Sequence, residues 1–410
     1  MEKVRRYARK GFTVLRREGV LSTAIKTLQK LEKNKRRHSS DAAVKIKFIS
    51  LVDRSDAMAA DWSGNPYVVQ AKNHTAPYVI NWIMSPPSGG GGHQNIFRFI
   101  EYLDKLGHTN NIYLYSTTDD MTIAQAKENV RAYCSAQNLT FRRYSGSMVA
   151  SDAVFATGWE TAYPVFNDPT DARKMYFVQD FEPYFYAMGT DYILAENTYK
   201  FGFHGITAGN YLAQKLKREY GMDCDHYEFG AEAGLYSLTN TDVRKEVFFY
   251  ARPVTERRGF DLGIMALEIF HKAKPDYTIN LAGWDVSDYD IPFPYVNHKA
   301  LKLDQLSNLY NNCATALVIS LTNMSLLPLE LLACGTIPVV NDGENNRLVS
   351  DNAYIAYTQA APAALAAKMV EVVERKESAA YARAAAASVE DAGWQASLQK
   401  FEAVLIRELS

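Results

Sequence analysis

Apolar residues along this chain follow two alternating patterns: short runs on consecutive positions, and longer stretches where they recur three or four apart. The runs at 78–84, 111–116, 152–156 and 174–179 predict strands, with a further short one at 141–144. Between them, 95–106, 121–134 and 208–220 carry the spacing of amphipathic helices, and helix signals follow Thr157-Gly-Trp-Glu160. In the second half, 246–253 and 277–282 predict strands around a helix at 259–273. The stretch 303–342 then reads as helix, strand, loop, helix, strand. Leu306, Leu309 and Tyr310 recur at helical spacing, and 314–321 is continuously apolar and β-prone. Ser325 predicts the cap of the next helix, Pro328 falls in its first turn, and Gly335 closes it before a strand at 337–340. Residues 360–387 are alanine-rich and helical by propensity, and Trp394 with 398–409 adds a last helix.

Strands that are apolar on both faces belong in parallel sheets covered by helices. Their alternation with helices predicts an α/β fold of two doubly wound, Rossmann-like domains. The expected organisation is a basic helical arm and connecting segment over 1–76, one domain over 77–232 and a second over 233–392. A helix over 393–410 would cross back to the first domain. The arm is expected to be helical over 1–37, with one strand candidate at 46–52. Two such domains facing each other define a cleft, where small-molecule sites usually lie.

Composition narrows the class without changing this picture. At 410 residues, with 47% apolar and 22% charged content, the chain is an ordinary globular protein of about two domains. Its four cysteines lie far apart, with no metal or redox spacing, which suits reduced thiols in the cytoplasm. No apolar run reaches transmembrane length, and the start lacks a signal peptide's apolar core. The net charge of -1 hides thirteen lysines and arginines against three glutamates in residues 1–40. Few aromatics and no nucleic-acid module accompany them, so nucleic acid is not an expected partner. Either this arm is a solvated leader or it meets an anionic membrane face, at about 1 kcal/mol per basic residue.

Candidate chemistry gathers at predicted strand ends. The loop Thr322, Asn323, Met324, Ser325, with Leu326 after it, follows a strand and precedes a helix, where free N–H groups favour phosphate. Glu330 is a single carboxylate on that apolar helix. Either backbone donors satisfy it, or it accepts a ribose hydroxyl one turn in from the phosphate end. Arg252 ends a strand and Arg258 precedes a helix, and two guanidinium forks suit a diphosphate. Arg257 reads as a surface residue. The glycines at 89–92 allow close backbone approach to an anion or sugar, through Gly91 and Gly92, unless they are a plain surface turn. They fail the dinucleotide fingerprint, which puts glycine where Gln94 or Asn95 stands, so NAD is not expected. His93 beside them is a candidate donor to a hydroxyl or phosphate. Asp180 and Glu182 are candidate catalytic carboxylates beside Tyr184 and Tyr186. Trp159, Glu160 and Tyr184 are candidate contacts for a sugar acceptor.

Together these residues resemble a known family. The series Arg252, Arg258-Gly259, Gly283-Trp284, 306–310 and Pro328-Leu-Glu330-Leu-Leu-Ala-Cys-Gly335-Thr-Ile-Pro-Val-Val resembles the nucleotide-sugar half of GT-B glycosyltransferases, especially glycosyltransferase family four. Gly91-Gly92-His93 and Lys105-Leu-Gly-His108 resemble that family's opening loop and helix. The likeness spans roughly 77–400. Ile80-Asn-Trp and Gln179-Asp-Phe-Glu-Pro more narrowly resemble bacterial rhamnosyltransferases that build surface-layer glycans.

The resemblance implies retaining transfer from a nucleotide-sugar, with no metal and no other cofactor. Glu330 would hold the ribose, and Arg252 and Arg258 the diphosphate, Arg258 standing where the family usually has lysine. Amides around Ser325 and Leu326 would complete the cradle. Gly283, Leu301, Lys302 and Leu306 would border the nucleoside, with the base near 301–306. The narrower likeness implies dTDP-β-L-rhamnose as donor and a lipid-linked rhamnan as acceptor, at the inner face of the cell membrane. Thr322 departs from the family, which has a second glutamate there touching the donor sugar. A nucleotide-sugar epimerase on the same fold and a non-catalytic nucleotide-sugar-binding scaffold stay open as alternatives.

Overall fold

A computed structural model describes residues 51–69, 73–118, 121–232, 234–376 and 378–410. The arm expected over 1–37 and most of the strand candidate at 46–52 lie outside the described residues. The described chain divides into two compact units, residues 229–394 and residues 51–228 with 395–410. Both segments joining them pair side by side at the edge of the 229–394 unit, where the Ala231 N–H donates to the Ala392 carbonyl at 2.8 Å.

The first unit runs α1 (Arg54–Ala59), β1 (Val79–Met84), α2 (Gly91–Lys105), β2 (Thr109–Leu114), α3 (Ile123–Arg131), β3 (Leu139–Arg143) and β4 (Ala153–Ala156). It continues through α4 (Trp159–Asn167), β5 (Arg173–Val178), α5 (Thr190–Asn197), β6 (His204–Ala208), α6 (Asn210–Tyr220) and β7 (Cys224–Tyr227). The second unit runs β8 (Glu246–Tyr250), α7 (Phe260–Ala273), β9 (Thr278–Ala282), β10 (Val296–Lys299), α8 (Leu303–Asn312) and β11 (Cys313–Val318). After it come α9 (Leu327–Ala333), β12 (Ile337–Asn341), α10 (Glu344–Arg347), β13 (Ala356–Thr358), α11 (Pro362–Val373) and α12 (Ser378–Ala387). Then α13 (Gln395–Leu409) returns to the first unit.

Both sheets are parallel. Their strand orders are β3-β2-β1-β4-β5-β6-β7 and β10-β9-β8-β11-β12-β13. Each therefore reverses direction beside its own first strand, at β1/β4 and at β8/β11. In open α/β sheets, ligands bind outside the carboxyl ends of strands at such a reversal. The central strands are buried on both faces, as their apolar runs predict: β4 and β12 are buried at every position.

The α13 helix completes the first core. Phe401, 1% exposed, meets Trp82, Phe99, Phe155 and Phe177 at ring-centroid distances of 6.2, 4.9, 5.7 and 6.1 Å. At its end, Glu408 accepts from the Arg173 Nε at 3.0 Å.

Several elements depart from the sequence reading. The α2 helix starts at Gly91, not 95. Two glycines in a helix cost about 1 kcal/mol each, but α2 buries Ile96, Phe97, Phe99, Ile100 and Leu103. At about 1.5–3 kcal/mol per side chain, that burial dominates. Leu326, not Ser325, takes the cap position of α9, and no side chain caps it. The stretch 360–387 is two helices rather than one, and three elements fall outside the sequence reading: β10 holds a single apolar residue, β13 is three residues long, and the apolar residues of α5 fall together at 192–195 instead of at helical spacing.

Candidate functional site

In the second unit, the candidate residues lie on loops that leave the carboxyl ends of β8, β9, β10 and β11. After β8, a turn brings the Thr255 N–H to the Arg252 carbonyl at 3.0 Å, and a short 3-10 helix covers Glu256–Arg258. Gly259 ends it at φ +56°, and a Cβ there would stand 2.7 Å from the Ile319 side chain. Only glycine fits between this turn and β11. Two bonds then tie the loop to the end of β11: Leu321 N–H to the Arg257 carbonyl at 3.0 Å, and Arg258 Nη1 to Ser320 Oγ at 2.7 Å. Arg252 lies on the other side of the turn. Its guanidinium is 5.9 Å from the rings of both Tyr250 and Trp284, and its one hydrogen bond among the described residues is a long 3.5 Å contact to the Gly283 carbonyl. Gly283 has φ +113° and lies against the Tyr250 ring, with its N–H on the Lys299 carbonyl at 2.7 Å.

Ser320 is the hub that sequence reasoning missed. It is fully buried, and its N–H donates to Asn341 Oδ1 at 2.8 Å. Its carbonyl accepts from the side-chain amides of Asn341, Asn345 and Asn346 at 3.0, 2.8 and 3.1 Å. The amide-rich run Asn341-Asp-Gly-Glu-Asn-Asn346 directly after a strand was the available signal. Buried polar groups need such partners, and this network fixes the direction in which β11 delivers its loop.

Along that loop Thr322, Asn323 and Met324 are buried. The Met324 N–H is committed to the Asn345 carbonyl at 3.2 Å, which removes it from the expected phosphate cradle. Among the described residues, the N–H groups of Ser325, Leu326 and Leu327 donate no hydrogen bond, so the start of α9 presents three open donors. Glu330 is half-buried in the first turn of α9. Burial, and then the charge of Glu330, push the hydroxyl pKa values of Tyr236 and Tyr310 upward. The two rings stack on each other at 5.9 Å. Leu301 and Leu306 are half-buried nearby, whereas Lys302 is exposed and begins α8.

In the first unit the structure corrects several expectations. His93 does not present a donor to a ligand. Its Nδ1 accepts from the Ser88 N–H at 3.4 Å, and its Nε2 faces the Ser85 carbonyl at 3.2 Å, so both nitrogens serve the glycine loop's own backbone. Burial holds its pKa below the usual histidine value. Gly91 and Gly92 form the first turn of α2, with open space above Gly91 and the Gln179 amide 3.5 Å from a Cβ at Gly92.

Trp159 is 1% exposed and cannot stack on a sugar; its indole donates to the Tyr186 hydroxyl at 2.9 Å. Asp180 and Glu182 are also buried, which removes the expectation that they face a ligand. Glu182 Oε2 accepts from the Trp159 N–H at 2.5 Å and the Tyr176 hydroxyl at 2.9 Å, pinning α4 to the loop after β5. Tyr184 remains accessible, being 46% exposed and next to the Lys215 ammonium, whereas Glu160 is half-buried and burial raises its carboxyl pKa.

Burial pushes the Glu182 carboxyl well above the usual range, and the neighbouring Glu160 adds to it. A raised carboxyl stabilises the fold fully below its unfolded value of 4.5, and that contribution is lost as pH rises through the folded value. Glu182→Gln keeps the neutral form at every pH. Relative to wild type, this variant should gain stability as pH rises above about 4.5. Urea midpoints at several pH values check this, and a difference independent of pH would refute it.

The matches to known proteins can now be set beside this geometry. The description "WsaF, N-terminal domain" matches residues 108–210, and "WsaF, C-terminal domain" matches residues 245–370. The chain belongs to the WsaF family. The WsaF C-terminal domain holds every donor-side candidate from Arg252 to Glu330, and the WsaF N-terminal domain holds Glu160 and Tyr184.

Among curated proteins, the O-antigen biosynthesis protein RfbC of Myxococcus xanthus is 30% identical over 312 residues. That alignment covers 70% of this WsaF-family chain and 24% of RfbC, so the chain spans about a quarter of that relative's length. Among solved structures, HepE of Anabaena in complex with UDP and glucose superposes with TM-score 0.62 at 14% identity, covering 80% of this chain and 99% of that one. A glycosyltransferase from Rickettsia africae gives 0.59 at 14% identity, covering 82% and 100%. The two parallel α/β units thus form a GT-B fold. Among the described residues, no group of three or more His, Cys, Asp or Glu is placed to hold a metal ion, and no helix is long and apolar enough to cross a membrane.

Proposed function

We propose that the chain is a retaining glycosyltransferase that moves L-rhamnose from dTDP-β-L-rhamnose onto a growing lipid-linked rhamnan. The observation that carries this reading is the arrangement around the end of β11. Arg252 and Arg258 lie on one loop, three open N–H groups begin α9, and Glu330 follows one turn later. Membership of the WsaF family, and the relative named for O-antigen biosynthesis, support a polysaccharide as product. The rhamnosyl part rests on the narrower likeness of Ile80-Asn-Trp and Gln179-Asp-Phe-Glu-Pro.

In this mechanism the bond between the sugar C1 and the diphosphate oxygen breaks while the acceptor hydroxyl bonds to C1 from the same face. The leaving phosphate oxygen takes the hydroxyl proton, so no strong enzymic base is required. Charge grows on the diphosphate, and preorganised donors there lower the barrier by about 3 kcal/mol each. Glu330 accepts a ribose hydroxyl, and Glu160 and Tyr184 contact the acceptor. No metal takes part in this scheme.

Thermal shift with thymidine, uridine and guanosine diphosphates tests the donor, followed by donor turnover with a lipid-like rhamnoside. A nucleotide at a hundred times its Kd stabilises by about 2.7 kcal/mol, which raises Tm by several degrees. Thymidine diphosphate should give the largest shift; equal or smaller shifts than the other two would remove the rhamnosyl assignment. A scaffold is the second reading, favoured by Thr322, which is 5% exposed where the family has a sugar-reading glutamate. It predicts nucleotide binding with no donor consumed.

A further inference from the structure

The second unit holds a cavity lined by none of the residues of the arginine-bearing loop. It is a trough of about 490 Å³ between α8 and the edge of the sheet at β9 and β10. Its floor comes from Glu246, the first residue of β8, with Asn280 and His298, each the third residue of its strand, in β9 and β10. Its wall is one face of α8, with Gln305, Asn308 and Asn312 at intervals of three and four residues and Leu309 between them. It shares Leu301 with the residues expected to border the nucleoside, and Gln305 belongs to the 301–306 stretch expected near the base.

The floor is a built relay. Asn280 is 2% exposed, and its Nδ2 donates to Glu246 Oε2 at 2.8 Å. That bond fixes the amide's orientation, because a flipped amide would set its oxygen against the carboxylate. Asn280 Oδ1 therefore accepts from His298 Nε2 at 2.8 Å. The imidazole carries its proton on Nε2 and keeps Nδ1 as an acceptor. Glu246 Oε1 has no hydrogen-bond partner among the described residues. The relay thus offers two acceptors.

The wall offers donors and acceptors together. Gln305 commits its oxygen to the Lys302 N–H at 3.0 Å and keeps its amine, and Asn308 and Asn312 are exposed amides. No lysine or arginine lines the trough. A phosphate finds no counter-charge here, whereas a hydroxyl, which both donates and accepts, pairs with every group present. Leu301, Leu309 and Val296 supply apolar surface for the C–H face of a sugar ring. The volume falls within the roughly 300–1,000 Å³ of small-molecule sites, and Gln305 to Asn312 spans about 10 Å of helix.

We propose that this trough is a second binding site, for a neutral saccharide, distinct from the loops that hold the diphosphate. Joined to the transferase reading, on which this consequence alone rests, the trough holds a growing glycan beside the enzyme between transfers. Tethering of this kind raises effective concentration without any new contact at the reacting atoms.

Saturation-transfer NMR on the full chain tests it, with hexasaccharides of L-rhamnose, glucose, mannose and N-acetylglucosamine as probes. At least one should bind with a Kd on the order of 1 mM. His298→Ala removes one relay acceptor, and Asn308→Arg, at an exposed helix position, fills the trough without touching the core. Each should weaken binding at least about tenfold, equivalent to ~1.4 kcal/mol. Nucleoside diphosphate thermal shifts should be unchanged in both, which separates this proposal from the donor assignment. Absence of binding by all four probes at about 20 mM would overturn it, as would an affinity unchanged in Asn308→Arg for a probe whose binding Tyr184→Ala leaves intact.

Discussion

Arg252→Ala is expected to lower kcat/KM for sugar transfer by about 10²–10³-fold while barely moving thermal stability. Removing one preorganised donor from a developing oxyanion costs about 3–4 kcal/mol in the barrier. What the fold loses is much smaller. The guanidinium makes one long hydrogen bond, to the Gly283 carbonyl at 3.5 Å, and lies 5.9 Å from two ring centroids. Surface contacts of that kind are usually worth within about 0.5 kcal/mol. Arg258 does not give so clean a test, because its bond to buried Ser320 also holds the loop in place. Steady-state kinetics beside a melting curve decide the matter. Normal turnover by Arg252→Ala would sink the donor-site assignment, and equal losses of activity and stability would make the residue structural.

The largest stability effect is expected at Phe401. Truncating a fully buried phenylalanine costs about 3–5 kcal/mol, a large share of the roughly 5–15 kcal/mol that holds a native protein together. Phe401 touches four aromatic rings of the first unit from a helix that arrives after the whole second unit. Because two units need not unfold together, a single melting temperature is a poor readout. Hydrogen exchange resolves them: Phe401→Ala should speed exchange in β1 and β4 and leave β8 and β11 protected. Unchanged exchange in β1 would contradict the packing described here.

Much of the fold was legible because burial on both faces writes a continuous apolar run into each central strand. The exit of α9 at Gly335, with φ +70°, was legible for the same kind of local reason. Edges were not: β10 is an edge strand with no fully buried residue, so its sequence carries no apolar run. Site residues divide differently. A polar side chain near a strand end reads alike in sequence whether it faces a ligand or satisfies a neighbour's backbone. Glu182 and His93 proved to be of the second kind, one holding the Trp159 N–H and the other the glycine loop. Arg252 and Glu330 are half-buried at the carboxyl edge of their sheet, a placement compatible with a ligand. Ser320 went unnoticed because its importance lies in three asparagines that converge on one carbonyl from two later elements.

The return of α13 to the first unit has a consequence for how the chain is made. Domains ordinarily fold in turn as they emerge from the ribosome. Here the first unit leaves the ribosome without the helix that fills its aromatic core, and it must wait for the second unit to be translated. A chain cut short anywhere in the second unit therefore leaves Trp82, Phe99 and Phe177 without their partner. Such a fragment would expose apolar surface of the kind that chaperones and proteases recognise.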